Sequence, residues 1–84
     1  MSTVEILNRL VLDTHDSVRG GVARNFNSPA ELLEILVTDK KKHVHFMLAE
    51  NPSSPCSVLE ILATTKDNDL RGYVAKNYNV LGAL

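Results

Sequence analysis

The sequence has no tryptophan, a single cysteine and few aromatic residues, two phenylalanines and two tyrosines. With one thiol, Cys56, no internal disulfide can form; stability must come from packing, and a reducing, cytoplasmic setting is expected. Aromatics make up 5% of the chain against 44% hydrophobic residues in all, so the core has to be built from Leu, Ile and Val. Charge of one sign is also missing: nine Lys and Arg face ten Asp and Glu, a formal net charge of −1. That removes the cationic excess a general polyanion binder needs. No apolar run approaches the roughly 20 residues that cross a bilayer. Glu5 interrupts the start and no basic segment precedes an apolar one, so neither a secretory leader nor a membrane contact is expected. At 84 residues, the expectation is one domain, 1–84, near the lower limit for a single core.

What the chain does have is a sentence that returns after 26 residues. Comparing 18–37 with 44–63, the pairs Val18/Val44, Ala23/Ala49, Asn25/Asn51, Ser28/Ser54, Pro29/Pro55, Leu33/Leu59, Glu34/Glu60, Ile35/Ile61 and Leu36/Leu62 are identical. A fixed period in the 20–50 range marks a stacked repeat array. The same register places Leu7 with Leu33 and Leu59, Leu10 with Leu36 and Leu62, and Asn77 with Asn25 and Asn51.

Each unit reads as a short helix, a corner and a longer helix. Ser2-Thr-Val-Glu5 is a capping box opening the first long helix. Arg9 stands where the later copies hold Ile35 and Ile61, which suggests a terminal repeat with one face turned polar. After the turn Asp13–Ser17, with Asp16 or Ser17 as cap, Val18 and Val22 mark a short helix that Gly20 and Gly21 weaken by about 1 kcal/mol each. Its copies span 43–50 and 69–76, and a partly 3₁₀ form is open to all three. Asn25, Asn51 and Asn77 suit helix exits, tolerating the left-handed conformation and bonding nearby backbone. Ser28-Pro29 and Ser54-Pro55 then restart the chain as N-cap and first helical residue, Glu31 completing a second capping box. In Ala30–Val37 only Glu31 and Glu34 are charged, so the long helices should be buried between neighbours. The fold class expected is all-α: a short α-solenoid of about three 26-residue repeats.

The unit carried by Val18-Arg19, Val22-Ala23, Asn25, Pro29, Leu33 and Leu36 recurs as Val44, Leu48-Ala49, Asn51, Pro55, Leu59 and Leu62. It returns as Leu70-Arg71, Val74-Ala75 and Asn77. It resembles the leucine-rich repeat variant family; HEAT-like repeats share a similar Val-Arg/Val-Ala helix. The resemblance implies alternating α- and 3₁₀-helices wound into a right-handed superhelix without a sheet. The 26-residue period exceeds that family's usual unit, which allows both helices to be α. The cysteine-rich iron–sulfur segment of one member has no counterpart here, so no cofactor is carried over.

Candidate site residues are surface residues. Arg19, His45 and Arg71 share one column and form either a cationic stripe for a partner's carboxylate or phosphate or corner braces bonded to Asp13, Asp16 and Asp69. Arg24, Glu50 and Lys76 alternate in sign along a neighbouring column. Lys40, Lys41 and Lys42 form the dense basic run, a short anion contact or simply a solvated loop. Phe46 and Met47 replace Gly20-Gly21 and align with Gly72-Tyr73. Turned outward, Phe46, Tyr73 and Tyr78 would be interaction anchors. Turned inward, these side chains fill room left by the glycines in the copy below, which is the direction expected for Met47 and Tyr73, with Phe46 open to either. Tyr78, Val80, Leu81 and Leu84 follow the last repeat helix as a candidate lid or self-association end. No metal-ligand spacing exists among His15, His43, His45 and Cys56, and no nucleophile–base pair or paired carboxylates can be placed on one face. The functional expectation is therefore a non-catalytic module for protein–protein interaction, binding a protein partner or closing as a homodimer. No small-molecule substrate is expected. The alternative is nucleic-acid binding through Lys40–Lys42, Arg19 and Arg71.

Overall fold

A computed structural model describes residues 1–77 and 79, and within them the chain is all-helical, with no strand. Six α-helices follow in order: α1 Thr3–Leu10, α2 Asp16–Arg24, α3 Ala30–Leu36, α4 Lys42–Glu50, α5 Cys56–Leu62 and α6 Asn68–Lys76. Helices α2, α4 and α6 pack successively against one another. Helix α3 lies against α2, α4 and α5, while α5 lies against α4 and α6, and α1 covers α2. Tyr78, Val80, Leu81 and Leu84, the expected lid, lie outside the described residues.

The core follows the repeat register. Leu7, Leu33 and Leu59 are all buried, as are Val22, Leu48 and Val74, and Leu36 with Leu62. Burying one such side chain stabilises by about 1.5–3 kcal/mol, so equivalent leucines in successive copies do equivalent work. The capping box of α1 forms as expected: Ser2 Oγ accepts the Glu5 N–H and Glu5 Oε1 accepts the Ser2 N–H, each at 3.2 Å.

Helix lengths reverse the expectation. The elements expected to be short, α2, α4 and α6, are nine-residue α-helices, whereas α3 and α5 have seven residues. The reason lies in the corner. Ser28 and Ser54 do not cap the following helices; each is buried and donates its hydroxyl back to the carbonyl six residues earlier, Val22 or Leu48, at 2.7 Å. Pro29 and Pro55 take the N-cap position with extended backbone and no side-chain cap, so Glu31 has no capping box to complete. At the start of α2 the N-cap is His15, without a side-chain cap of its own; Asp13 accepts its N–H at 2.9 Å. Ile35 and Ile61 are 44% and 54% exposed. Their column faces outward in every copy, so Arg9 does not mark a terminal face, and α3 and α5 are not apolar all round.

The asparagines carry the main correction. None adopts the left-handed conformation: Asn25, Asn51 and Asn77 have φ of −74°, −76° and −74° with extended ψ. Their carboxamides have another task. In each, Oδ1 accepts the N–H two residues on, from Asn27, Ser53 or Asn79, at 2.8–2.9 Å. That bond orients Nδ2 toward the preceding copy. Asn51 Nδ2 donates to the carbonyls of Ala23 and Asn25 at 2.8 and 3.1 Å, and Asn77 Nδ2 to those of Ala49 and Asn51 at 2.8 and 2.9 Å. A second row runs beside it: Ser53 Oγ donates to Phe26 O at 2.8 Å, and Asn79 Nδ2 to Pro52 O at 2.7 Å. Only a side chain with one acceptor and two donors at this reach completes the pattern.

Gly20 shows how closely α2 and α4 approach. It is buried, and a Cβ there would stand 3.1 Å from His43 Nε2 and 3.9 Å from Met47 Cγ. Met47 thus fills room beside the glycine of the copy below.

Asn51 is 1% exposed, so Asn51→Ala leaves the Ala23 carbonyl and the Ser53 N–H without partners, while the Asn25 carbonyl keeps only the Ser28 N–H. Urea unfolding should show a loss of about 2–3 kcal/mol. Asn25→Ala removes only the local bond to Asn27 and should cost under about 1 kcal/mol. Equal losses would show that the contact between copies contributes nothing beyond the local turn.

Candidate functional site

The column Arg19, His45, Arg71 is built into the loops rather than displayed. Arg19 donates Nε to Asp39 Oδ2 at 2.6 Å and an NH2 hydrogen to Asp39 Oδ1 at 3.3 Å. It also donates to the carbonyls of Asp13 and Thr14. The Asp39 side chain is 6% exposed and that of Arg19 18%, so the pair is well shielded from solvent. Arg19 thus braces two successive loops, using Asp39 of the next copy instead of the carboxylates of Asp13 or Asp16. Arg71 repeats half of this: its NH1 donates to Thr65 O at 2.8 Å, the equivalent of the Arg19–Asp13 bond, and its NH2 bonds Asn68. His45, between them, is too short. Its Nε2 is buried and has no hydrogen-bond partner among the described residues.

The basic run is also partly engaged. Lys42 Nζ lies 2.9 Å from Asp67 Oδ2, and Asp39 accepts the Lys41 N–H at 2.9 Å. Lys40 and Lys41 are exposed. The bond from Arg19 holds the Asp39 carboxyl below the usual carboxylate range despite its desolvation, with help from the Lys41 N–H. Lys42, then the Leu70 N–H, do the same for Asp67. Asp39 in turn keeps the Arg19 guanidinium above its ordinary value. His43 sits on Asp16, its Nδ1 3.1 Å from Oδ2 and its Nε2 3.2 Å from the carbonyl. No ion pair joins Arg24, Glu50 and Lys76 among the described residues; Lys76 Nζ instead lies 5.5 Å from the Tyr73 ring centroid.

The structure brings Phe26 together with Phe46 and Tyr73. Phe26, Phe46 and Tyr73 lie on one side, around two adjoining recesses along α4 and α6 that share Glu50, Tyr73 and Lys76. One recess, of about 400 Å³, is lined by Phe26, Pro52 and Tyr73; Phe46 lines the other. Phe46 and Tyr73 meet edge to face, centroids 5.3 Å apart with planes at 83°. Tyr73 is therefore not buried beside a glycine, as expected, but stands over the Phe46 ring of the copy below and stays 38% exposed. Phe26 is 65% exposed and drew no notice in the sequence. Its signal was there: its column runs Phe26, Pro52, Tyr78 beside the asparagines. Of the residues singled out in the sequence, Phe46 and Tyr73 join this surface. Arg19 and Lys40 lie instead at the loops after α1 and α3, around a recess lined by Leu12, Ile35 and Asp39.

Cys56, half-buried at the start of α5, bonds through Sγ to Asn79 O at 3.2 Å, consistent with a packing role. Among the described residues no three His, Cys, Asp or Glu side chains converge as metal ligands. No helix there is long and apolar enough to cross a membrane.

A depressed folded-state pKa at Asp39 means its ion pair with Arg19 stabilises fully above the ordinary Asp value of about 3.9. The contribution is lost as pH falls through the lower folded value. Melting temperature should therefore hold steady down to about pH 4 and drop below it. Asp39→Asn should lower the neutral-pH value and flatten the acid limb; an unchanged limb would assign acid sensitivity elsewhere.

His45→Arg should let the longer side chain reach the loop carbonyl as its two neighbours in the column do. Urea unfolding should show a gain of about 1 kcal/mol, and a loss would mean the imidazole packs better than a guanidinium there. Compared with known proteins, the chain matches no family model, no curated protein and no solved structure.

Proposed function

We propose that this chain is a non-catalytic helical-repeat module for protein–protein interaction, a short right-handed α-solenoid of about three 26-residue units akin to leucine-rich repeat variant proteins. The repeated asparagine bonds support the stacked arrangement, since each links a residue to carbonyls 26 and 28 positions earlier. Nine-residue α-helices where that family alternates with 3₁₀ turns suit the longer period.

One observation carries the binding role: Phe26, Phe46 and Tyr73, in a chain poor in aromatics, meet on one side around open recesses rimmed by Glu50 and Lys76. An aliphatic core leaves aromatics free for contact, and such rings dominate the energetics of protein interfaces. The occupant that fits is a peptide segment with an aliphatic or aromatic anchor and a charged neighbour. The nucleic-acid reading gains no such support, because Arg19 and Lys42 are already committed to Asp39 and Asp67. A cytoplasmic setting goes with the lone thiol of Cys56.

Selection from a random peptide display library tests the reading. Enriched peptides should carry an apolar anchor, and Phe26→Ala or Tyr73→Ala should each weaken them by about 10- to 30-fold. Peptides indifferent to both substitutions would move the surface elsewhere. Salt-sensitive polarisation shifts with single-stranded RNA or DNA, and no peptide enrichment, would replace this reading with the nucleic-acid one.

A further inference from the structure

Among the described residues, the bonds that join successive copies leave the Asn25 Nδ2 donor without the partners that Asn51 and Asn77 find. Asn25 holds its carboxamide in the posture of Asn51 and Asn77, with Oδ1 on the Asn27 N–H at 2.8 Å. Its Nδ2 therefore faces away from α4, where Asn51 and Asn77 find two carbonyls of the copy before. Around it, on the side of α2 opposite α4, is an open recess of about 320 Å³ lined by Ile6, Leu10, Val18, Gly21, Val22 and Asn25. Ile6 is 45% exposed, and a Cβ at Gly21 would meet nothing within 4 Å.

At the far end, among the described residues, the matching column is uncovered at Ala75. Ala23 and Ala49 are fully buried beneath the next copy, while Ala75 in the same column of α6 is exposed. Gly72 is exposed too, although its counterpart Gly20 is covered by His43 and Met47. The carbonyls of Ala75 and Asn77 are the equivalents of those that receive Asn51 and Asn77.

We propose that the α2 face of one copy docks on the α6 face of a second copy of this chain, Asn25 Nδ2 donating to the partner's Ala75 and Asn77 carbonyls. The residues meeting Gly72 would be Ser17 and Gly21, the counterparts of His43 and Met47. They are smaller, so the helices can approach as closely as α2 and α4 do. Joining two α6 faces would oppose carbonyl to carbonyl, and joining two α2 faces would oppose donor to donor. The association is therefore head-to-tail rather than the two-fold dimer the sequence suggested, and it continues into a filament or closes as a ring.

The test is the mass of the 84-residue chain in solution, by light scattering and sedimentation from about 10 μM to about 1 mM. The wild type should grow past two copies as concentration rises. Asn25→Asp keeps the acceptor for Asn27 but replaces the donor by a carboxylate; Ala75→Arg obstructs the other end. Each alone should be monomeric, and an equimolar mixture should form a complex of two chains containing one of each. Gly21→Arg, at a position with open space, provides a second block of the α2 end should Asn25→Asp unfold, as judged by circular dichroism. A wild type that remains monomeric throughout, or one that stops at two copies and ignores both substitutions, would overturn the proposal.

Discussion

A buried carboxamide, repeated every 26 residues, is the constraint the rest of the structure depends on. Asn51 and Asn77 satisfy their oxygen locally and use both amide hydrogens on the copy before. An apolar interface alone would let neighbouring helices slide, because burial is proportional to area and nearly indifferent to register. Two hydrogen bonds of fixed direction to two named carbonyls remove that freedom. Once the corners are aligned, the equivalent leucines of α3 and α5 enter equivalent places.

The same alignment explains how side chains from one copy finish the surface of another. Met47 lies over Gly20, and Tyr73 lies over Phe46. Arg19 reaches Asp39, and Lys42 reaches Asp67, each in the following loop. These contacts all run between units one period apart, on both the helical side and the loop side. The charged pairs on the loop side are shielded to different degrees, which matters for their value. The Arg19–Asp39 pair is largely enclosed and bidentate, whereas Lys42 is mostly exposed and its bond to Asp67 is of the kind that contributes little. Cationic residues that looked like a binding stripe in the sequence are for the most part braces between loops.

The binding we propose therefore uses what the braces leave. On the α4–α6 side that is a set of rings with a Glu and a Lys beside them. At the two ends it is half of the inter-copy contact, the Asn25 donor at α2 and the uncovered column of Ala75 on α6. We propose the rings for a foreign peptide and the ends for more of the same chain, and the two surfaces are chemically distinct.

Several features were legible in the sequence alone. The period is visible because whole stretches recur, and the helical class, the capping box at Ser2 and Glu5, and the burial of Leu7, Leu33 and Leu59 follow from local spacing, because each depends on residues within a turn or two of one another. Tertiary structure decided the rest. Local rules assigned the asparagines to left-handed exits and the serines to N-caps, since a residue's preferences describe what it can do for its own backbone. In the folded chain Asn51 and Asn77 serve the backbone of another copy, and Ser28 and Ser54 close the helix behind them. Nor could spacing show that Ile35 faces water or that Phe26 joins Tyr73. Those facts depend on which side of each helix its neighbour covers, and only the packed arrangement of six helices determines that.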